Sequence, residues 1–582
     1  MKKSLKKSLL TFAATLLAGT ATFAPVATFA QSEAKLPASV SNEGEAVEGA
    51  TFKYAMGGAN FKGQLNNLSA SDTYDMTITN FFNPGLYGHD ENFRIDDSGF
   101  AKLAFDKDKK TVTITIPKDA KWDDGQPITI DDVIFPYYVV GHKDYPGVRY
   151  DEAFTNVVGM AEYHEGKAEE ITGLKRIDDY TLEITYLEFT PSLYIAGGGV
   201  STYIEPKHAF EGVEVKDLES AEVVTKKPVG FGPFKVKSIT PGESVSFEPN
   251  EYYYKGKVGF NLDVEMVSEA TIIEEMKAGR YDYAALPTDK YDTYKDSENF
   301  SVIGIVQNTL NYVGFNYGVK AEDGTRTPYA ESPVNNKALR QAMAYAVDNN
   351  AVAEKFYLGL REGANSIIPS FFGDVHDASL EGYTYQPEKA KEVLEAAGFK
   401  DTNGDGFVED PNGKEFKLNV AAMDGGEIAE PFAQYYISSW QAVGINAGLY
   451  NDRLLEFNAF YDTVKSNPED LHVYLAAVGF GGDPNPSNLL RTGGGFNYSN
   501  YSDAKNDELI AALTADAALD AEVRKQAFFE WQAYANEELP IIPMLYRYNT
   551  VAVNKRVSAF DLTTGSDLDW VDIKLTAAEP IK

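Results

Sequence analysis

The chain has 582 residues, with 53 basic against 87 acidic side chains, a net charge of −34 and no Cys. Without Cys it holds no disulfide and no thiolate metal site, so stability must come from packing, and this length implies more than one domain. A field this acidic argues against nucleic acid and anionic membrane surfaces as partners, and fits a soluble protein outside the cell.

Lys2, Lys3, Lys6 and Lys7 precede an apolar run from Leu9 to Gly19, and Thr28-Phe29-Ala30 offers a small-x-small cleavage site before Gln31. This predicts an export signal over residues 1–30, whose apolar part is too short to span a bilayer comfortably. Residues 31–50 read as a flexible polar leader. Thr111 to Ile116 alternates with period two and predicts a strand, and Tyr180 to Tyr186 repeats the pattern. Between them lies Lys121-Trp-Asp-Asp-Gly-Gln-Pro-Ile-Thr-Ile-Asp-Asp-Val-Ile-Phe135. It reads as a buried Trp122, a tight turn at Asp124-Gly125, and Thr129 capping a helix whose first turn carries Asp131 and Asp132. Gly197-Gly198-Gly199 suggests flexible backbone near a hinge, and Val229-Gly-Phe-Gly-Pro-Phe234 suits a turn better than a phosphate loop. Ser244 to Glu248 predicts a strand entering a turn, while helices are predicted over 336–348, 387–397 and 521–537. In the second helix Pro387 suits the first turn and Gly398 the C-terminal cap. This order of strands and helices predicts an α/β protein of more than one lobe.

Chemistry-bearing motifs are few. The six His are scattered singly, with no His-Glu-x-x-His, Gly-x-Ser-x-Gly or phosphate loop. Two acids suffice for glycoside hydrolysis, so a secreted two-carboxylate hydrolase stays open as a competing class. Asp401-Thr-Asn-Gly-Asp-Gly-Phe-Val-Glu-Asp410 is the sharpest local site. Asp401, Asn403 and Asp405 stand at the first, third and fifth positions of a calcium loop, with Gly406 at the sixth and Phe407 at the seventh. Asn412 replaces the closing Glu, so Glu409 or Asp410 would have to complete a structural Ca2+ shell. The competing reading is a surface turn rich in Asp, Asn and Gly.

The Lys121–Phe135 block resembles a signature of the peptide-type extracellular solute-binding proteins of ABC importers, family 5. Further blocks resemble the family in order: Lys227 to Tyr253, Met276 to Asp282, Asn336 to Val352, Pro387 to Gly398, Gln441 to Ile445 and Leu539-Pro-Ile-Ile-Pro543. Phe231 departs from the family's usual Thr. The segment Gly479-Phe-Gly-Gly-Asp-Pro-Asn-Pro-Ser-Asn-Leu489, with Phe496-Asn-Tyr498, resembles the Gram-positive oligopeptide-binding branch.

The resemblance implies a type II periplasmic-binding-protein-like fold. Lobe I would comprise 51–85, 200–305 and 550–582, an extra domain 86–199, and lobe II 306–549. It implies an exported monomer at the cell surface that captures peptides without a required cofactor and presents them to a membrane ABC permease. It does not imply an enzyme. Asp483 matches the Asp that pairs with a peptide's ammonium or main chain, with Phe480, Gly482 and Asn485 beside it. Tyr312 and Asn316, on the strand-like Asn311 to Asn316, match cleft-lining positions. Thr20 follows Leu17-Ala18-Gly19 where most Gram-positive members carry a lipid-anchored Cys, so no such anchor forms on this sequence. The same fold with another ligand (a signalling peptide, nickel chelate or oligosaccharide) stays open as an alternative.

Overall fold

The computed structural model describes residues 36–582 apart from 59, 322–325 and 426, so the predicted export signal and Thr20 lie outside the described residues. In chain order the elements used below are β1 (Ser39–Ser41), β2 (Thr51–Gly57), β3 (Lys102–Asp106), β4 (Thr111–Thr115), α1 (Ile130–Val140), β5 (Leu174–Asp178) and β6 (Thr181–Thr185). Next come β7 (Phe234–Thr240), β8 (Ser244–Pro249), β9 (Asn261–Val267), β10 (Tyr283–Ala285), β11 (Phe300–Phe315), α2 (Lys337–Tyr345), α3 (Asn349–Tyr357) and β12 (Arg361–Gly363). The last are α4 (Pro387–Ala396), β13 (Leu418–Ala421), α5 (Ala429–Ala442), β14 (Ala447–Leu449), α6 (Phe457–Ser466), β15 (Val473–Gly479), α7 (Ala521–Glu538), β16 (Ile542–Asn554) and β17 (Ala559–Asp561).

An 11-stranded sheet runs in the order β14-β13-β15-β11-β16-β10-β2-β9-β8-β7, with β12 pairing onto β16. Two strands of 16 and 13 residues, β11 and β16, form its centre and pair antiparallel. Their register slips between Val306 and Leu310 and again between Asn311 and Tyr312. On one side of the slip β16 meets β10, and β10 and β9 flank β2 in parallel. On the other side β11 meets β15, which carries β13 and β14 in parallel. Side chains alternate across a strand, and each face of the second half has its own core. Val313, Phe315, Val473 and Leu475 pack beneath α2, α3 and α5, while Leu310, Tyr312, Tyr474 and Ala476 pack against α6 and α7.

A separate four-stranded sheet, β3-β4-β6-β5, lies over a core containing Trp122, Tyr137, Phe154, Leu182 and Tyr186. Here the Lys121–Phe135 block finds its role. Trp122 is fully buried, edge-on to Phe231 at 5.9 Å. Asp132 closes the start of α1 by accepting from the Thr129 amide at 2.8 Å and from the Lys207 amide at 3.0 Å. Asp123 exchanges bonds with Gly230, whose absent Cβ would lie 2.0 Å from the Phe82 carbonyl oxygen. The Lys121–Phe135 and Lys227–Lys235 blocks thus form one junction.

The predicted strands hold to within a residue or two, as do the helices at 387–397 and 521–537. The helix predicted over 336–348 ends at Tyr345, and Asp348 instead caps α3 through its bond to the Ala351 amide. The described part of the expected flexible leader is tied down: β1 pairs antiparallel with β17, and Val47 donates to the Leu575 carbonyl at 2.8 Å.

Candidate functional site

The parallel strands β13, β14 and β15 point their carboxyl ends to one edge, where ligands of open α/β sheets gather. A cavity of about 450 Å³ opens there against Ala477, Val478 and Gly479 of β15 and Tyr312 of β11. Tyr461, Asp462 and Lys465 of α6, with Leu489 and Tyr498, form further walls, and Phe457 and Phe496, 58% and 56% exposed, stand at its rim. Such a cavity grips apolar groups through aromatic faces and polar ones through hydroxyl and charged ends. A larger hollow of about 650 Å³ beside the 248–251 turn is lined by Glu48, Asp123, Lys235, Glu251 and Lys257. It is charged, lies at the start of β9 and the end of β8, and carries no comparable aromatic wall.

The loop after β15 turns back over the register slip. The Phe480 amide donates to the Asn308 carbonyl at 2.9 Å, and Asn308 Nδ2 donates to the Phe480 carbonyl. The Phe480 ring stands edge-on to Phe372 at 5.9 Å. Gly482 meets the 192–198 loop so closely that a Cβ would lie 2.0 Å from the Ala196 carbonyl oxygen. Gly198 and Gly199 are themselves packed against Ser192 and Leu193, so the triglycine segment builds this contact. Asp483 Oδ1 accepts from the Asn485 amide at 3.0 Å and from Arg524 Nη2 of α7 at 2.7 Å. Its Oδ2 accepts no hydrogen bond among the described residues. Asn485 Oδ1 is taken by the Ser487 amide and hydroxyl, which makes it a turn residue. Glu152 lies near enough to feel Asp483; burial first, then the field of Asp483, push its carboxyl above the ordinary range.

Tyr312 does line the cavity, with its ring edge-on to Tyr474 at 6.1 Å. Asn316 does not. It is fully buried at the far end of β11, donating to the Pro468 and Leu471 carbonyls at 2.9 and 3.0 Å and accepting from the Gly318 amide. Strand residues four positions apart share a face but not a place along it, which is why Asn316 misses the cleft. No spacing in the sequence marks Arg524 or Tyr461, which stand far along the chain from the residues they join at the site.

The calcium-like loop is closed by its own groups. Asp401 accepts from the Gly404 and Gly406 amides, Asn403 from Asp405, Asp405 from Phe407, and Asp410 from Asn412 and Lys414. Glu409, 3% exposed, is turned to the amide and hydroxyl of Thr402. No group of three His, Cys, Asp or Glu side chains suited to a metal ion occurs among the described residues. The side chains satisfy a surface turn.

Two halves joined by a continuous pair of strands, with a cavity at the strand ends beside the crossing, define an α/β binding protein of the two-lobed type II kind. The bacterial extracellular solute-binding proteins, family 5 Middle, match residues 101–500, and the chain belongs to this family. It is 30% identical over 503 residues to the oligopeptide-binding protein OppA of Lactococcus lactis subsp. lactis strain IL1403, covering 85% of this chain and 84% of that one. It is 24% identical over 512 residues to the oligopeptide-binding protein AppA of Bacillus subtilis, covering 87% and 88%. Lactococcal OppA, complexed with an endogenous peptide in the closed conformation, superposes with a TM-score of 0.76 at 29% identity over 90% of this chain and 100% of that one.

Proposed function

We infer that this protein is an extracellular binding protein that captures oligopeptides between its lobes and delivers them to an ABC transporter permease. The observation that carries the reading is the aromatic cavity at the carboxyl end of β15, in a chain of this family that matches oligopeptide-binding relatives along most of its length. Lobe I comprises 51–85, 200–305 and 550–582, the extra domain 86–199, and lobe II 306–549. Closure around the ligand bends β11 and β16 near the Val306–Leu310 slip. Backbone groups of the cleft pair with the peptide main chain as an added strand would, which favours no particular side chain. Asp483 offers its Oδ2 to the peptide ammonium, with Phe480 and Gly482 shaping the loop that presents it. The protein is exported, works as a monomer and needs no cofactor.

Native mass spectrometry of the mature protein after incubation with a mixed peptide library tests this. Intact retained peptides support capture. Cleaved products would support a hydrolase, and retention of no peptide would point to another ligand class.

A further inference from the structure

Arg361 on β12 and Arg547 on β16 are direct register partners. Both donate to the same neutral acceptor, Asn311 Oδ1, from Arg361 Nη1 at 2.9 Å and Arg547 Nε at 3.0 Å. Among the described residues neither has a carboxylate within ion-pair distance, in a chain with 87 acids against 53 bases. Other largely buried arginines are provided for. Arg524 has Asp483, Arg556 has Asp282, and Arg340 donates to four backbone carbonyls. Two guanidiniums side by side repel one another and lose hydration, a costly arrangement unless an anion joins them. Burial, then the like charge of Arg547 against the relief from Tyr357, holds Arg361 down at about 10, so it remains charged at neutral pH. The Tyr357 ring lies 3.6 Å from its guanidinium carbon and fixes the plane of the fork. One amide oxygen uses two of the N–H groups, and most of both forks is left over.

The pair also lies beside the aromatic cavity. Asn311 is the register partner of Ala477, which lines the 450 Å³ cavity. Tyr461, another wall of that cavity, is close enough to Arg547 to interact with it electrostatically. Asp289, from the other half of the main sheet, acts weakly on Arg361 without reaching ion-pair distance.

We propose that Arg361 and Arg547, bridged by Asn311, form a carboxylate-binding subsite at the floor of the cleft, selecting peptides that place an acidic side chain or a C-terminal carboxylate there. This rests on the peptide-binding reading above. A guanidinium fork recognises a planar carboxylate through paired N–H donors, the strongest form of that contact.

Calorimetry with the mature protein uses three peptides of one length and neutral sequence: free C-terminus, C-terminal amide, and amide with one Glu. The wild type should bind one or both carboxylate-bearing peptides about 10-fold tighter than the neutral amide. Which of the two gains identifies the source of the carboxylate. Arg361→Gln with Arg547→Gln should abolish that preference and keep Tm at or above the wild-type value because a like-charge pair is removed. A preference that persists in the double variant, or is absent from the wild type, overturns the proposal. Stabilisation by succinate is measured in parallel without any peptide. If no peptide binds, the peptide reading fails, while a succinate-induced Tm shift lost in the double variant still supports the anion subsite and its absence overturns it.

Discussion

Arg524 donates from Nη2 to Asp483 Oδ1 across 2.7 Å, with the two side chains only 8% and 12% exposed. The carboxylate expected to receive a peptide ammonium therefore already holds one cation through Oδ1, and its Oδ2 accepts no hydrogen bond among the described residues. A shielded carboxylate bridging two cations is oriented by the first and binds the second through a charge-assisted bond.

Asp483→Asn keeps the side chain's shape and its oxygen toward Asn485. We expect peptides with a free amino terminus to lose about 2–5 kcal/mol of binding, and N-acetylated peptides to lose little. Calorimetry with both peptide forms on wild type and variant checks this. An equal loss for both would remove Asp483 from ammonium recognition.

The Arg556–Asp282 pair should dominate local stability. Nε and Nη2 meet the two carboxylate oxygens at 2.6 Å each, and both side chains are fully buried. Arg556 also donates to the Thr51 and Ala577 carbonyls, joining β2 to the C-terminal segment. Arg556→Met strands a buried carboxylate and should cost about 3–5 kcal/mol in urea unfolding. Glu427→Gln, which removes the exposed Lys290–Glu427 pair, should leave the unfolding midpoint essentially unmoved. Equal effects would refute the contrast.

Glu205 gives a pH signature. It is 1% exposed, bonded to Asn66 Nδ2 at 2.7 Å, and burial pushes its carboxyl from 4.5 up to about 8. Between those values the native state keeps a proton that the unfolded chain has released, so stability falls as pH rises across the window and is fully present below it. Glu205→Gln should flatten that slope. Relative to wild type, its Tm should therefore rise more at pH 8 than at pH 5; a difference that does not change with pH would place the ionisation elsewhere.

Stripping calcium with a chelator should leave Tm unmoved, because Asp401, Asp405 and Glu409 are already bonded to their own loop. A rise of several degrees on adding Ca2+, lost in Asp401→Asn, would restore the metal reading.

Local chemistry was the legible part of the sequence. Pro387 stands in a first helical turn, Gly398 just past a helix end, and Asn336 caps a helix through the Ala338 amide, while the Asp401 turn follows from its Asp, Asn and Gly residues. Trp122 and Phe231 each stand in a recognisable block, yet their edge-on contact spans more than a hundred residues and is not written in either. The site was legible only as a loop. Asp483 and Arg524 are 41 positions apart with no periodicity between them, and Arg361 meets Arg547 only because β12 pairs with β16. Asn316 failed for a related reason: alternation along β11 tells which face a residue takes, and not which end of a 16-residue strand opens to the cleft.

The zipper between β1 and β17 has a mechanical meaning. A pull transmitted from upstream of Leu36 reaches the body first through three paired residues, Ser39 to Ser41, and through Asn42, which holds the Val557 carbonyl at 2.7 Å. The load is thereby delivered to the segment just beyond β16, one of the two long strands at the centre of the main sheet.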